Sequence, residues 1–320
     1  IPYPYLMEMI LAVSIFVIAY IFIATEKISK VVIVLSGAAA MVLIGATDAE
    51  KAFYNHETGI DWNVIFLLLG MMIIVGIIHK TGLFEYIAVG AIKKSKGNPK
   101  TSLVYLMILT ALASAILDNV TTILLAVPMT LIITKHLQVS PIPFILAEVF
   151  VSNIGGAATL VGDPPNIIIA SKADISFNAF LIHMAPLVLL VLAVIIPFLV
   201  FFFRRELINS PEARDLVMRL DAREFLKDLV LLRKSLFVLT LVMIAFMLHT
   251  VLHLEPSIVA LFGAGALSAI SGLKPRDYLQ DVEWPTLIFF IGLFIMVGAL
   301  VNVGALGEFA EFLKAIFGDD

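Results

Sequence analysis

The chain of 320 residues contains no cysteine, which removes disulfides, thiolate metal sites and cysteine nucleophiles from consideration. Charge is scarce as well: Asp, Glu, Lys and Arg together make 14% of the residues, too few to clothe a soluble domain of this size. No basic patch interleaved with aromatics offers a footprint for nucleic acid, so no nucleic-acid partner is expected. Neither HExxH nor GxSxG occurs, which disfavours a hydrolytic enzyme. The first apolar run lacks a basic leader and a small-residue cleavage site, and reads as a helix that stays.

What the chain has instead is apolar surface. Hydrophobic residues make 61% of it, with a mean hydropathy of +1.06, so lipid is the expected partner for most of its exterior. Apolar runs recur at residues 6–23, 31–44, 64–78, 177–203, 235–252, 257–270 and 286–301. Most approach the length that crosses a hydrocarbon core of ~30 Å. The fold class is therefore all-α: a polytopic membrane protein, expected in the cytoplasmic membrane of a prokaryote. Basic residues concentrate in two connections, Lys80 with Lys93, Lys94, Lys96 and Lys100, and Arg204 to Lys234. By the positive-inside rule both face the cytoplasm. Residues 48–61 carry Asp48, Glu50, Glu57 and Asp61 against Lys51, which suits the outside, and Lys27 and Lys30 place the first connection inside. The N-terminus is then expected outside.

The chain also repeats itself. Asp61-Trp62 is followed by Gly70, Gly76 and Gly82, and 222 positions later Glu283-Trp284 is followed by Gly292, Gly298 and Gly304. Gly37-Ala38 and Ala40 recur as Gly263-Ala264 and Ala266 at an offset of 226. With the charge-derived topology the two copies run in opposite directions, the pattern of inverted-repeat transporters. Interfacial tryptophan and small-residue packing recurring by chance is the other reading.

Two polar interruptions carry the chemistry. Apolar arms at 103–117 and 123–133 flank the tip Asp118-Asn119-Val120-Thr121-Thr122. If the arms enter and leave on the cytoplasmic side, an arm of fifteen residues reaches only ~22 Å as helix and the tip of this re-entrant hairpin lies inside the membrane. Polar groups there are costly unless they bind something or line water. The tip offers carbonyls to a small cation, and Thr121 or Thr122 can cap the second arm, whose N-terminal dipole favours an anion. The second interruption, Ser152-Asn153-Ile154-Gly155-Gly156-Ala157-Ala158-Thr159-Leu160-Val161-Gly162-Asp163-Pro164-Pro165-Asn166, reads as a discontinuous helix whose prolines open a new half-helix. Its unwound carbonyls suit sodium. A buried turn and an extramembrane loop are the plainer alternatives for the two motifs. Among lesser candidates, Glu148 either titrates, snorkels or pairs with a neighbour. His249 and His253 at i, i+4 form the only histidine pair with ligand-like spacing. Residues 211–232 read as an amphipathic helix, either an arm between domains or a solvated linker.

The pair of motifs resembles the ion transporter superfamily, in its branch of arsenite permeases, sodium/proton antiporters and the melanosomal P protein, with the wording closest to the P-protein type. The resemblance covers nearly the whole chain. It implies an elevator-type transporter with a dimerising scaffold, hence a homodimer, and a mobile transport domain. By likeness Asn119, Thr121 and Thr122 match the hairpin's sodium and substrate residues, and Gly155, Gly156, Thr159 and Asn166 those of the broken helix, with Asn153 and Gly162 in the same motif. Sodium is expected at Asn119, Thr121, Gly155 and Gly156. Asp118 and Asp163 depart from the pattern of the carboxylate carriers and suit cation or proton handling.

The expected division is scaffold helices at 1–96, a transport domain at 97–203, a cytoplasmic linker at 204–234, and second-repeat scaffold helices at 235–320. The second hairpin is expected near residue 340, 222 beyond Asp118, so the second repeat reads as incomplete. The leading function is a secondary active carrier with Na+ or H+ as coupling ion and no cofactor, moving a small inorganic ion such as arsenite, or exchanging sodium for protons. A sodium-coupled carboxylate or citrate carrier, an ion channel of the same architecture and a membrane enzyme using two aspartates are the alternatives.

Overall fold

The computed structural model describes residues 3–208 and 221–317. Among them every regular element is a helix. In chain order these are α1 (Tyr3–Thr25), α2 (Lys30–Leu43), α3 (Ala49–Tyr54), α4 (Trp62–His79), α5 (Leu83–Lys94), α6 (Pro99–Ser114), α7 (Asn119–Leu137), α8 (Ile142–Gly156), α9 (Pro164–Lys172) and α10 (Phe177–Phe202). A 3-10 turn (Ala222–Phe225) precedes α11 (Leu229–Met247), α12 (His249–Leu252), α13 (Pro256–Ser271), α14 (Pro275–Leu279), α15 (Trp284–Asn302) and α16 (Ala305–Phe317).

Each of the seven apolar runs falls on a helix, with one difference. The run at 235–252 is divided, because α11 stops at Met247 and the four residues of α12 end at His253 in the left-handed region. Among the described residues six helices, α1, α4, α7, α10, α11 and α15, are long and apolar enough to cross a membrane. Four shorter apolar helices, α2, α6, α8 and α13, accompany them. The chain is an integral membrane protein. Much of its large apolar surface faces outward, as on α10, where Ile182, Leu187, Leu190 and Phe202 are all exposed; a bilayer, having no water to order around such groups, tolerates this. The amphipathic segment expected at 211–232 lies outside the described residues up to 220; beyond them the 3-10 turn and the start of α11 take its place.

The chain divides into two compact units, residues 1–65 with 283–320, and residues 66–282. In the first, α1 and α15 pack on α2. Lys30 lies over the Phe289 ring at 5.4 Å, Gly292 meets Val34, Gly37 meets Met296, and Asn302 Nδ2 donates to Thr47 Oγ1 at 3.3 Å. Both sets of numbers rise together, so α2 and α15 run parallel. The glycines are notches: a methyl group on Gly292 would stand 2.8 Å from Val34 Cγ2, and one on Gly37 would stand 2.7 Å from Met296 Sδ. The acidic connection holds α3, whose N-cap Asp48 accepts from the Lys51 amide at 2.8 Å. That bond holds the Asp48 carboxyl below its ordinary range. The cap's contribution is therefore complete above the usual carboxylate range and lost as the pH falls below it.

In the second unit α4 packs on α13 through Gly70, where an added methyl would stand 2.7 Å from the Ala260 carbonyl carbon, and through Ile74 against Gly263. Gly76 abuts Tyr278 and Asp281. These positions correspond to the first unit's contacts. Gly70 and Ala260 become Gly292 and Val34 when shifted by 222 and 226, Ile74 and Gly263 become Met296 and Gly37, and Gly76 becomes Gly298, which abuts Thr58. Lys80 Nζ stands 2.7 Å from Asp281 Oδ2 as an ion pair. Gly82, with φ of 77°, passes against the Phe225 carbonyl, and the Lys227 amide donates to Thr81 O at 2.9 Å. Helices α5, α6, α7, α8 and α10 of this unit bury a common core, with Val89 and Ile92 of α5, Leu103 and Met107 of α6, Phe144 of α8 and Leu199 of α10 among its members.

The notch at Gly292 generates a test. Gly292→Ala forces α2 and α15 apart and is expected to destabilise the protein by ~1–3 kcal/mol, read as a fall in thermal midpoint in detergent. Gly90→Ala, where a methyl meets nothing within 4 Å, is the control and leaves the midpoint unchanged or higher. Equal midpoints for the two variants would refute the notch.

Candidate functional site

The candidate site is assembled within the second unit from two chain breaks. Helix α6 opens on Asn98, whose side chain accepts from the Lys100 and Thr101 amides, followed by proline at the first helical position. It closes at Ser114, leaving residues 115–118 as a tight connection into α7. The cap of α7 is Asp118. Its Oδ1 accepts from the Thr121 amide at 2.8 Å and its Oδ2 from the Thr121 hydroxyl at 2.6 Å. This corrects the expectation that Thr121 or Thr122 caps the arm: the carboxylate is the better acceptor for an orphan helical N–H, and Thr121 is its donor. The positive end of the α7 dipole is thereby met by a carboxylate belonging to the protein, which removes the attraction an external anion would have found there.

The second interruption is a break in a helix. Helix α8 ends at Gly156 and α9 begins at Pro164 with Pro165 behind it, so the prolines occupy the first turn of the new half-helix as their fixed φ and missing N–H favour. Gly155 and Gly156 are the last residues of α8, and the non-helical stretch is 157–163. The two glycines serve close approach: a methyl group on Gly155 would overlap the Ala111 backbone, and one on Gly156 would stand 2.6 Å from Gly162 O.

Side chains knit the tip to the break. Asn119 Nδ2 donates to Asn153 Oδ1 at 2.9 Å, and Asn153 Nδ2 donates to Val149 O at 2.8 Å. The Thr159 hydroxyl donates to Ala115 O at 2.6 Å while accepting from the Gly162 amide at 3.1 Å. Asn166 Nδ2 spans the break, reaching Thr159 O at 2.9 Å and Gly156 O at 3.2 Å. Ser114, which sequence reasoning passed over, donates to Ser152 O at 2.6 Å. Its only signal was its place four residues ahead of Asp118.

Asp163 sits at the N-cap position of α9 but makes no capping hydrogen bond. It is half-buried and within the electrostatic reach of Asp118. The structure thus brings Asp118, Asn119, Thr121, Asn153, Gly155, Gly156, Thr159, Gly162, Asp163 and Asn166 into one region. Thr122 is the exception: its side chain is 3% exposed and turns inward between helices. Glu148 does not snorkel and forms no ion pair among the described residues; it is fully buried, with Thr130 Oγ1 2.8 Å from both of its oxygens. Among the described residues no three His, Asp or Glu side chains converge as a metal site, and His249 lies against Phe246 O at 2.8 Å.

The family model described as CitMHS, citrate transporter, matches residues 20–318. An uncharacterized transporter of Mycobacterium tuberculosis is 50% identical over 309 residues, covering 97% of this chain and 72% of the relative. A 46 kDa membrane protein of Mycobacterium leprae is 49% identical over 309 residues, with the same coverage of 97% and 72%. The human P protein is 29% identical over 369 residues, 92% of this chain and 44% of that protein. The motif-level likeness to the P-protein type thus extends along the chain.

Thr159 is the residue on which the break most visibly depends. Thr159→Val keeps the volume but strips partners from Ala115 O and the Gly162 amide, each worth ~1–3 kcal/mol when left unsatisfied and buried. A drop in thermal midpoint with retained secondary structure is expected by circular dichroism, and an unchanged midpoint would show that the break is held by something else.

Proposed function

The chain belongs to the citrate transporter family, and from that premise we propose that this membrane transporter is a secondary active carrier in which Na+ or H+ is the coupling ion. The site is the region between the Asn119 tip and the 157–163 break, and its passenger is a small inorganic ion, with sodium/proton exchange the simplest form. One observation carries the reading. Two carboxylates lie within each other's electrostatic reach there, Asp118 occupied by its own cap and Asp163 not used by its helix. A cation between them relieves their repulsion, and protonation of either weakens its hold, which is the elementary requirement of antiport.

Inverted repeats support alternating access in this reading. Helix α15 runs parallel to α2, as the paired positions 30 with 289, 34 with 292 and 37 with 296 indicate. With the opposed directions that the charge pattern gives the two copies, such a pairing is what inverted repeats would require. An elevator movement, a homodimer and an outside N-terminus complete the proposal on the strength of the resemblance and the charge pattern.

A second reading follows from the family's description. A citrate carrier with Asp118 and Asp163 at its site would take the tricarboxylate only with a cation interposed, since bare carboxylates would repel. The reconstituted complete protein distinguishes the two. In liposomes loaded with a pH-sensitive dye, an imposed sodium gradient alone is expected to move protons, and Asp118→Asn or Asp163→Asn to cut the rate at least ~10-fold, the equivalent of about 1.4 kcal/mol. Proton movement that requires citrate together with a metal cation would replace exchange with the second reading; silence under both conditions would reject both.

A further inference from the structure

A polar row runs down α7 from the site into the protein. Asp118, Thr122, Ala126 and Thr130 follow one another at intervals of four and so share a ridge of the helix. The row ends at Glu148 of α8, fully buried, whose two oxygens share the single hydroxyl hydrogen of Thr130. No Lys, Arg or His among the described residues pairs with Glu148. Between Thr122 and Glu148 lies a cavity of about 30 Å3, bordered by Phe84, Thr110, Ala126 and Met129 among others. That volume exceeds the ~10–15 Å3 one water needs. Thr122 lines it with a buried hydroxyl that has no hydrogen-bond partner. Ala126 is the smallest member of the row, and its short side chain leaves the gap open.

An unpaired carboxylate surrounded by apolar residues is costly, and one hydroxyl does little to offset that cost. We infer that Glu148 and this cavity form an inner proton site, separate from the pair of aspartates, with a cavity water and Thr122 as the relay to the hairpin tip. In the transfer the Glu148 O–H bond breaks and a water O–H bond forms. The water passes a proton to Thr122 Oγ1, which releases its own toward the half-buried Asp118, and the Thr130 hydroxyl donates to the carboxylate left behind. The charged and titratable groups on the surrounding helices are Glu85, Tyr86, Lys93 and Lys94 on α5, Lys100 and Tyr105 on α6, Lys135 and His136 on α7, and His183 on α10. None of them lines the cavity. The inference deepens the carrier reading, from which it takes the aspartate tip as the relay's outer end, by giving the coupling proton a second station.

The test is infrared difference spectroscopy on the complete protein reconstituted in liposomes, following the carboxylic-acid C=O band as H2O is replaced by D2O. A buried band that downshifts on exchange and is lost in Glu148→Gln is expected. Thr122→Val and Ala126→Val, which remove the hydroxyl and fill the gap, slow the exchange about tenfold, and Thr122→Ser restores it to within about twofold. Should Glu148→Gln fail to fold, the Thr122 variants carry the test alone. A band that survives Glu148→Gln, a wild-type protein without it, or exchange as fast in Thr122→Val as in the wild type overturns the inner site. The spectrum needs no transport, so its outcome and that of the sodium-gradient experiment are independent: exchange at Glu148 in a protein that moves no ions would reject the carrier reading and leave the site standing.

Discussion

Two helices of this protein stop against each other inside the second unit, α6 at Ser114 and α8 at Gly156, and helix ends leave backbone groups that need partners. The architecture around the site follows from satisfying them. Ser114, Thr159 and Asn166 each hold main-chain carbonyls of another segment, and Gly155, Gly156 and Gly162 let those backbones come close enough to be held. The break is consequently a fixed element, and it carries the backbone of Asp163 at a set place relative to the 115–118 connection that carries Asp118.

The same economy governs the long helices. Without a hydrophobic difference between lipid and side chain, helices in a bilayer associate by close packing, which small residues permit. Gly70 against Ala260 and Gly292 against Val34 are one contact made twice. In each unit a long helix lies on a shorter glycine-bearing helix, at positions that correspond by the sequence offsets of 222 and 226. A lesion in the Gly292 notch is felt in a unit drawn from both ends of the chain, and one in the Gly70 notch within the continuous unit 66–282.

Charge inside the protein is sparing and differentiated by use. Asp118 is committed to the Thr121 amide and hydroxyl. Asp163, at an equivalent helix start, has no such commitment. Glu148 has only Thr130. The three carboxyls thus have three environments, and each neighbour and each degree of burial sets a different cost for the charged form.

By itself the sequence determined the long apolar helices, the position of both interruptions and the repeated glycine spacing. These depend on local physics: apolar length, the fixed φ of Pro164 and Pro165, the capping chemistry of Asp118, and glycine spacing. It also identified most of the residues that gather at the site, since polar side chains in long apolar surroundings have few other uses. Only the tertiary structure decided which of them meet. Asn119 finds Asn153 from 34 positions away and Thr159 finds Ala115 from 44, and no periodicity encodes a partner on another helix. It alone turned Thr122 away from its neighbours, made Gly155 and Gly156 a packing surface at the end of a helix, and enclosed Glu148. A side chain's environment is set by which helices pack around it, and that is a property of the assembled fold.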